Sequence, residues 1–374
     1  MKPSVLFVAS TGSHIRNFHL PYLRAFRERG WTVHVACGTS AGEIPCADRV
    51  LELPFEKKMS APSNFRAAAL LRRAILEEDY DLVTVHTSLA AFFARFALLG
   101  LKKRPAVVNM VHGYLYDDET SAVKCTILRT AERLTAPVTD LVLTMNGWDK
   151  GEAERYRLGK RVASVPGVGV EFGRLNHPER FDVSVLRGKH DIPADAFVLI
   201  YAAEFSKRKN QEFLVRAMKR LPADAYLVLA GQGALLEECK LLAHELNVAD
   251  RILFPGHIDV GEWYAVADAV VSASRSEGLP FNIMEAMYLG LPVVASAVKG
   301  HADLLREDES GLLYPFGDAD AYVCQVVRLM KEPELRTKLG SRAATDVLAY
   351  DLETVLPQVM AEYEGLVPVT ANAR

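Results

Sequence analysis

The sequence has little cysteine and no long apolar run. Its 374 residues include five cysteines, Cys37, Cys46, Cys125, Cys239 and Cys324. Their number is odd and no pair is spaced C-x-x-C. That argues against a disulfide framework or a thiolate zinc site and for a reducing compartment. No stretch approaches 18 consecutive apolar residues, so no membrane-spanning helix is expected. The opening MKPSVLFVAS has one lysine and a short apolar run and reads as a first strand, not a secretion signal. Internal repeats and low-complexity segments are absent. A cytoplasmic protein with no nucleic-acid partner is the expectation.

What is present is a chain half hydrophobic and 24% charged, as in soluble globular proteins. The length suits two domains of roughly 150–200 residues. The net charge of −3 hides an asymmetry. Residues 1–170 hold 23 Lys+Arg against 17 Asp+Glu, and the remainder 21 against 30. A basic N-terminal half points to an anionic surface or ligand on that side, or to a chance spread of surface charge.

Short apolar runs alternate with amphipathic helical stretches. SVLFVAS, WTVHVAC, RVLELP, DLVTVHT, AVVNMVHG and DLVLTMN read as strands buried on both faces, as in a helix-covered parallel sheet. The pattern pauses at residues 166–182, a Gly/Pro-rich linker. FVLIYAAE, AYLVLAGQG, RILFPGH, AVVSAS and PVVASAV then supply a second set. The expectation is two Rossmann-like α/β domains, 1–170 and 178–350, facing each other across a cleft. A last helix at about 351–366 packs back on the first. Ligands in such folds bind at the carboxyl ends of the strands.

The most informative segment is SRSEGLPFNIMEAMYLGLPVVAS. Glu277 and Glu285 lie eight apart, with a helix expected from about Phe281. Both carboxylates can then face a pocket at a helix N-terminus, whose free N–H groups and dipole suit a diphosphate. Carboxylates accept hydrogen bonds from sugar hydroxyls. The segment resembles the family 4 glycosyltransferases, retaining enzymes of the GT-B fold with an E-x7-E donor motif. The resemblance implies that Glu285 holds the nucleotide ribose and Glu277 the transferred sugar, with Gly278, Leu279, Pro280, Phe281 and Asn282 framing the donor. A capping carboxylate and a solvated helix glutamate are the structural alternative.

Further segments extend the resemblance. In YAAEFSKRKNQEF, Lys209 matches a basic residue that contacts the donor diphosphate, with Lys207 or Arg208 as second cations; Glu204 stands where many relatives carry arginine. In VVNMVHGYLYDD, His112 matches the HG[FY] element of capsule and exopolysaccharide transferases and is implied to lie close to the donor sugar. In VASTGSHIRNFHLPYL, Gly12 matches the family's glycine loop, which approaches the donor phosphate. Ser13, His14 and His19 are acceptor-side candidates, as is His86. The resemblance implies that Gly231 and Gly233 lie near the nucleotide and that His257 and Ile258 occupy the segment that holds the base. Lys209, Glu277 and His112 are the catalytic candidates.

No metal and no cofactor are expected. The D-x-D pairs Asp79/Asp81 and Asp318/Asp320 read as a strand approach and a helix cap. Taken together, the resemblance implies a retaining transferase moving a hexose or N-acetylhexosamine from a UDP-sugar, with GDP-sugars second, to a glycan. The likeness to capsule and exopolysaccharide transferases implies a polyprenyl-diphosphate-linked saccharide at the cytoplasmic membrane face as acceptor. A sugar-nucleotide epimerase and a non-catalytic scaffold of a polysaccharide assembly complex are the alternatives. Residues 90–105, with Phe92, Phe93 and Phe96 beside Arg95, Lys102, Lys103 and Arg104, read either as an interfacial element docking on anionic lipid or as a core helix.

Overall fold

The structure, a computed structural model, describes residues 2–39, 42–175, 181–256 and 260–367. The chain divides into two compact units. One comprises Met1–Gly169 with Glu353–Arg374, the other Val170–Leu352.

The first unit is built on a parallel sheet of seven strands. These are β1 (Ser4–Val8), β2 (Thr32–Gly38), β3 (Arg49–Leu53), β4 (Leu82–Val85), β5 (Ala106–Val111), β6 (Leu141–Thr144) and β7 (Arg161–Ser164). Their order is β3-β2-β1-β4-β5-β6-β7. β1 is central: Leu6 pairs with His34 on one side and Val83 on the other. Val5, Leu6, Phe7 and Val8 are therefore wholly buried, because helices cover both faces. β3 and β7 are edges and keep most of their residues partly or fully exposed, so RVLELP is not buried on both faces. Strand order reverses at β1, between β2 and β4. The loops after β1, β4 and β5 therefore gather at one end of the sheet, where such folds place ligands. Ser10 Oγ and Thr87 Oγ1, 2.7 Å apart, tie the first two loops together.

The helix Ser88–Leu98 bears on the two readings of residues 90–105. Ala90, Ala91, Ala94 and Leu98 pack on one core with Leu71 and Ile75 of the helix Pro62–Glu78. Phe93 is buried in a second cluster. Arg95 is fully buried; its guanidinium donates to Glu132 Oε2 at 2.8 Å and to the Ala91 carbonyl at 2.9 Å. Arg104 forks onto Asp140 at 2.6 and 2.9 Å. Phe93 and Leu98 meet the protein interior, Phe92 and Phe96 stay half-buried, and Arg95 and Arg104 are held by internal pairs, an arrangement that fits the core-helix reading.

The helix Leu352–Glu364 belongs to this same unit. Tyr363 is buried and its hydroxyl accepts from Thr84 Oγ1 of β4 at 3.2 Å. Arg29 pairs with Glu364 at 2.8 Å.

The second unit repeats the plan with β8 (Phe197–Ala202), β9 (Ala225–Ala230), β10 (Ile252–Gly256), β11 (Ala269–Ser272), β12 (Val293–Ser296) and β13 (Leu312–Tyr314). The order is β10-β9-β8-β11-β12-β13, all parallel, with the reversal at β8 and β11. Among the described residues no helix is long and apolar enough to cross a membrane.

Candidate functional site

In the second unit, the loops after β8, β11 and β12 bring the sequence candidates together. Glu277 lies on the loop between β11 and the helix Phe281–Tyr288, and is buried. Its Oε1 accepts from Lys209 Nζ at 2.6 Å and from Ser274 Oγ at 2.6 Å. Its Oε2 accepts from Arg208 Nη1 at 2.7 Å. Ser274 in turn lies 2.7 Å from the Tyr201 hydroxyl at the end of β8. Gly300 makes room for this arrangement. At φ +82° a side chain there is strained, and a Cβ would sit 2.9 Å from both Glu277 Cβ and the Glu277 carbonyl.

Burial raises the Glu277 pKa, but the Lys209 ammonium and the Arg208 guanidinium outweigh it and hold the carboxyl at about 2. Burial lowers the Lys209 pKa, and Glu277 only partly restores it. Two cations face one carboxylate, so this cluster carries surplus positive charge. Arg208 is half exposed and Lys209 nearly buried.

The helix Phe281–Tyr288 starts after Pro280, with no side chain capping it. Asn282 Nδ2 is buried there without a hydrogen-bond partner among the described residues, a donor available to a ligand. Glu285 lies one turn further along. Burial pushes its carboxyl up to about 7, with Arg174 pulling the other way. Among the described residues no hydrogen bond joins it to the Lys209–Glu277 cluster. Gly278 and Leu279 complete the turn before the helix, and Phe281 opens it, half-buried.

The remaining donor-side candidates are spread around this centre. Glu204 is exposed, and its carbonyl accepts from Gln211 Nε2 at 2.9 Å at the start of the helix Gln211–Ala217. Lys207 is exposed and its carbonyl accepts from Arg275. Gly231, at φ +139°, lets the loop after β9 touch the loop after β8: a Cβ there would lie 2.1 Å from the Ala203 carbonyl oxygen. Gly233 continues the same loop. His257 and Ile258 lie outside the described residues.

Sequence reasoning did not single out Tyr201, Ser274, Arg174 or His301. Ser274 stands inside the quoted SxSEGLP run, so its signal was present. His301, fully buried, bridges Ser272 and Ser296 at 3.2 Å each. It braces the carboxyl ends of β11 and β12 behind Glu277.

Glu285 carries a stability cost. Its folded pKa of about 7 exceeds the ordinary 4.5, so the native state holds the extra proton between those values. Stability therefore falls as pH rises through that window and the penalty is complete above it. Glu285→Gln is expected to stabilise the protein at pH 8 by up to about 3 kcal/mol, at 1.36 kcal/mol per unit. The gain should shrink to near zero at pH 4.5. Urea melts at both pH values check this; equal gains would refute the burial argument.

In the first unit, Gly12 is buried as the first residue of the helix Gly12–Phe18, and Thr11 Oγ1 caps that helix by accepting from His14 N at 3.3 Å. Ser13 is exposed. His14, His19, His86 and His112 converge, with one ring nitrogen of each within 4.8 Å of the others. His19 and His86 are wholly buried, whereas His14 and His112 keep exposed area. Of the acceptor-side candidates, Ser13 and His14 are thus open to solvent, and His19 and His86 are enclosed. Both D-x-D pairs serve structure. Asp81 Oδ2 accepts from Ser4 N at 2.8 Å, and Asp318 caps the helix Ala319–Lys331. Asp79 pairs with Lys103 and Asp320 with Arg220.

Comparison with known proteins agrees with this architecture. The profile described as "Glycosyl transferases group 1" matches residues 182–346, and "Glycosyltransferase Family 4" matches residues 22–168. EpsD of Bacillus subtilis (strain 168) is 30% identical over 356 residues, covering 94% of this chain and 93% of EpsD. The Escherichia coli UDP-Gal:alpha-D-GlcNAc-diphosphoundecaprenol alpha-1,3-galactosyltransferase is 25% identical over 295 residues, covering 75% of this chain and 74% of that enzyme. Among solved structures, sucrose-phosphate synthase from Thermosynechococcus elongatus superposes with a TM-score of 0.81 at 21% identity, covering 98% of this chain and 99% of that one. Anabaena HepE in complex with UDP-glucose gives 0.77 at 20% identity, covering 97% and 99%. With EpsD aligned over nearly the whole of both chains and each unit matched by its own profile, the chain belongs to the family 4 glycosyltransferases and is a glycosyltransferase of the GT-B fold.

Proposed function

We propose that the chain transfers a hexose or N-acetylhexosamine from a UDP-sugar to a polyprenyl-diphosphate-linked saccharide in envelope or exopolysaccharide synthesis, with retention at the anomeric carbon. The observation that carries this reading is Glu277, held ionised between Lys209 and Arg208 beside an uncapped helix start. In the reaction the bond from the anomeric carbon to the diphosphate oxygen breaks. A new bond forms to an acceptor hydroxyl, whose proton leaves with the diphosphate. Lys209 and Arg208 offset the charge that develops on the departing diphosphate. Glu277 accepts hydrogen bonds from the sugar hydroxyls, Glu285 from the ribose, and Asn282 donates into the same site. His112 and His14 are the groups of the first unit assigned to the reacting sugars. No cofactor is assigned, and the diphosphate needs no added magnesium or manganese.

The lipid-linked acceptor is favoured by the Escherichia coli relative, whose name specifies a diphosphoundecaprenol acceptor and a UDP-Gal donor. Such an acceptor brings the enzyme to an anionic membrane surface. We assign this contact to the helix Ala122–Thr135, where Val123, Ile127 and Leu134 are exposed alongside Lys124 and Arg133.

One experiment tests the reading. A panel of UDP- and GDP-sugars is offered with the acceptor in anionic liposomes, without added divalent metal. One UDP-sugar should be consumed and its label should reach the lipid with the anomeric configuration kept. Glu285→Ala should weaken UDP binding by about 1–3 kcal/mol, and Ile127→Asp should reduce co-sedimentation with the liposomes. Turnover of GDP-sugars alone, inversion, or a requirement for magnesium would each overturn its part of the proposal.

A further inference from the structure

We infer that His14, His19, His86 and His112 form a binding site for a divalent transition-metal ion, with zinc the best match, in the first unit. The four side chains come from three chain segments. His14 and His19 follow β1, His86 follows β4 and His112 follows β5. The strand order brings those loops to one end of the sheet. One ring nitrogen from each residue lies within 4.8 Å of the other three.

The spacing suits a tetrahedral ion. Zinc–nitrogen bonds of about 2.0–2.1 Å set the ligand nitrogens about 3.3 Å apart along a tetrahedron's edge. His14 Nε2 and His19 Nε2 are 3.3 Å apart, and so are His86 Nδ1 and His112 Nε2. The two pairs supply two opposite edges. The remaining edges are no longer than 4.8 Å.

The chemistry of the donor set agrees. All four side chains offer imidazole nitrogens, the commonest metal ligands, in a buried or half-buried setting. His86 has the outer-sphere partner usual for a ligand: its Nε2 lies 3.2 Å from Thr84 Oγ1, and that hydroxyl donates onward to Tyr363. The relay places the His86 proton on Nε2 and leaves the Nδ1 lone pair facing the cluster. His19 is wholly buried and turns its Nε2 to His14, while its Nδ1 has no hydrogen-bond partner among the described residues, so Nε2 is the nitrogen assigned to the ion. Without an ion each close pair is joined as a hydrogen bond whose donor depends on the tautomer; a central cation would take the lone pairs of all four rings instead. With no thiolate in the set, imidazole-preferring ions are selected over softer ones.

A four-nitrogen site with no open position is structural in type. It would clasp the loop after β1 to the ends of β4 and β5. An ion held this way also occupies the nitrogens of His14 and His112, so metal binding and glycan contact at those residues exclude each other. The inference does not rest on the identity of the sugar donor.

The test uses the full chain, stripped of metal and titrated with zinc against a chromophoric chelator, then with cobalt(II). One equivalent should bind, the cobalt form should show the intense visible bands of tetrahedral coordination, and zinc should raise the melting temperature. His14→Gln and His112→Gln should each lose at least tenfold in affinity, and Thr84→Val about 10–100-fold through its effect on His86. Octahedral cobalt spectra in the wild type, no stoichiometric binding, or binding unaltered in both histidine variants would overturn the site. None of these readouts depends on transferase activity, so failure here leaves the transfer reading standing.

Discussion

Lys209→Ala is expected to lower turnover about 10²–10³-fold, the loss typical of removing one preformed electrostatic stabiliser. The loss should fall on kcat at saturating donor, because the charge that Lys209 is proposed to answer develops only as the diphosphate departs. The surroundings explain why water cannot substitute. The ammonium is nearly buried, 2.6 Å from Glu277, in a cluster where Arg208 is the second cation. The variant also leaves Glu277 with a half-exposed arginine alone, so its carboxyl should titrate at higher pH. The acid limb of the pH–rate profile should therefore move upward. Near-normal kcat at saturating donor would remove Lys209 from the chemistry. A Lys209→Ala protein with a native melting profile but lost turnover would exclude simple unfolding as the cause.

Arg95→Leu is expected to destabilise the first unit by about 3–5 kcal/mol, the cost of leaving one member of a buried ion pair uncompensated. Glu132 would lose its guanidinium partner at 2.8 Å while remaining nearly enclosed. Arg95→Leu with Glu132→Leu removes both charges and should recover most of the loss, since a well-packed apolar pair is often neutral or better. Urea denaturation of the two single variants and the double variant reads the coupling directly. A single variant costing under about 1 kcal/mol would show that water reaches Glu132 and that the pair is not buried in solution.

Much of the fold could be read from periodicity. Every apolar run taken as a strand is one; the central parallel strands are apolar on both faces and stand out most. β7 and β13 escaped notice: RVAS is an edge strand with no fully buried residue, and LLY is only three residues long. The segment around Phe93 was ambiguous for a different reason. Apolar residues mixed with arginine describe a lipid-facing helix and a core helix with an internal ion pair equally well. What decides between them is Glu132, 37 residues further on. Lys209 and Glu277 were named from motif resemblance, but their direct contact across 68 residues is a tertiary fact. The histidines show the same limit. Each was singled out alone, as a separate acceptor-side or sugar-side group, and only the order of the strands reveals that the four share one centre.

The return of the helix Leu352–Glu364 to the first unit bears on the order in which the molecule is made. A ribosome releases β1 to β7 long before Tyr363, which fills a buried position beside Thr84. Domains generally fold as units during synthesis. The second unit, contiguous from Val170 to Leu352, can complete its core while its last residues are still emerging. The first unit must wait with a gap against its sheet until the helix Leu352–Glu364 has been made. The half of the protein whose synthesis starts first is thus completed only after the other half has been synthesised.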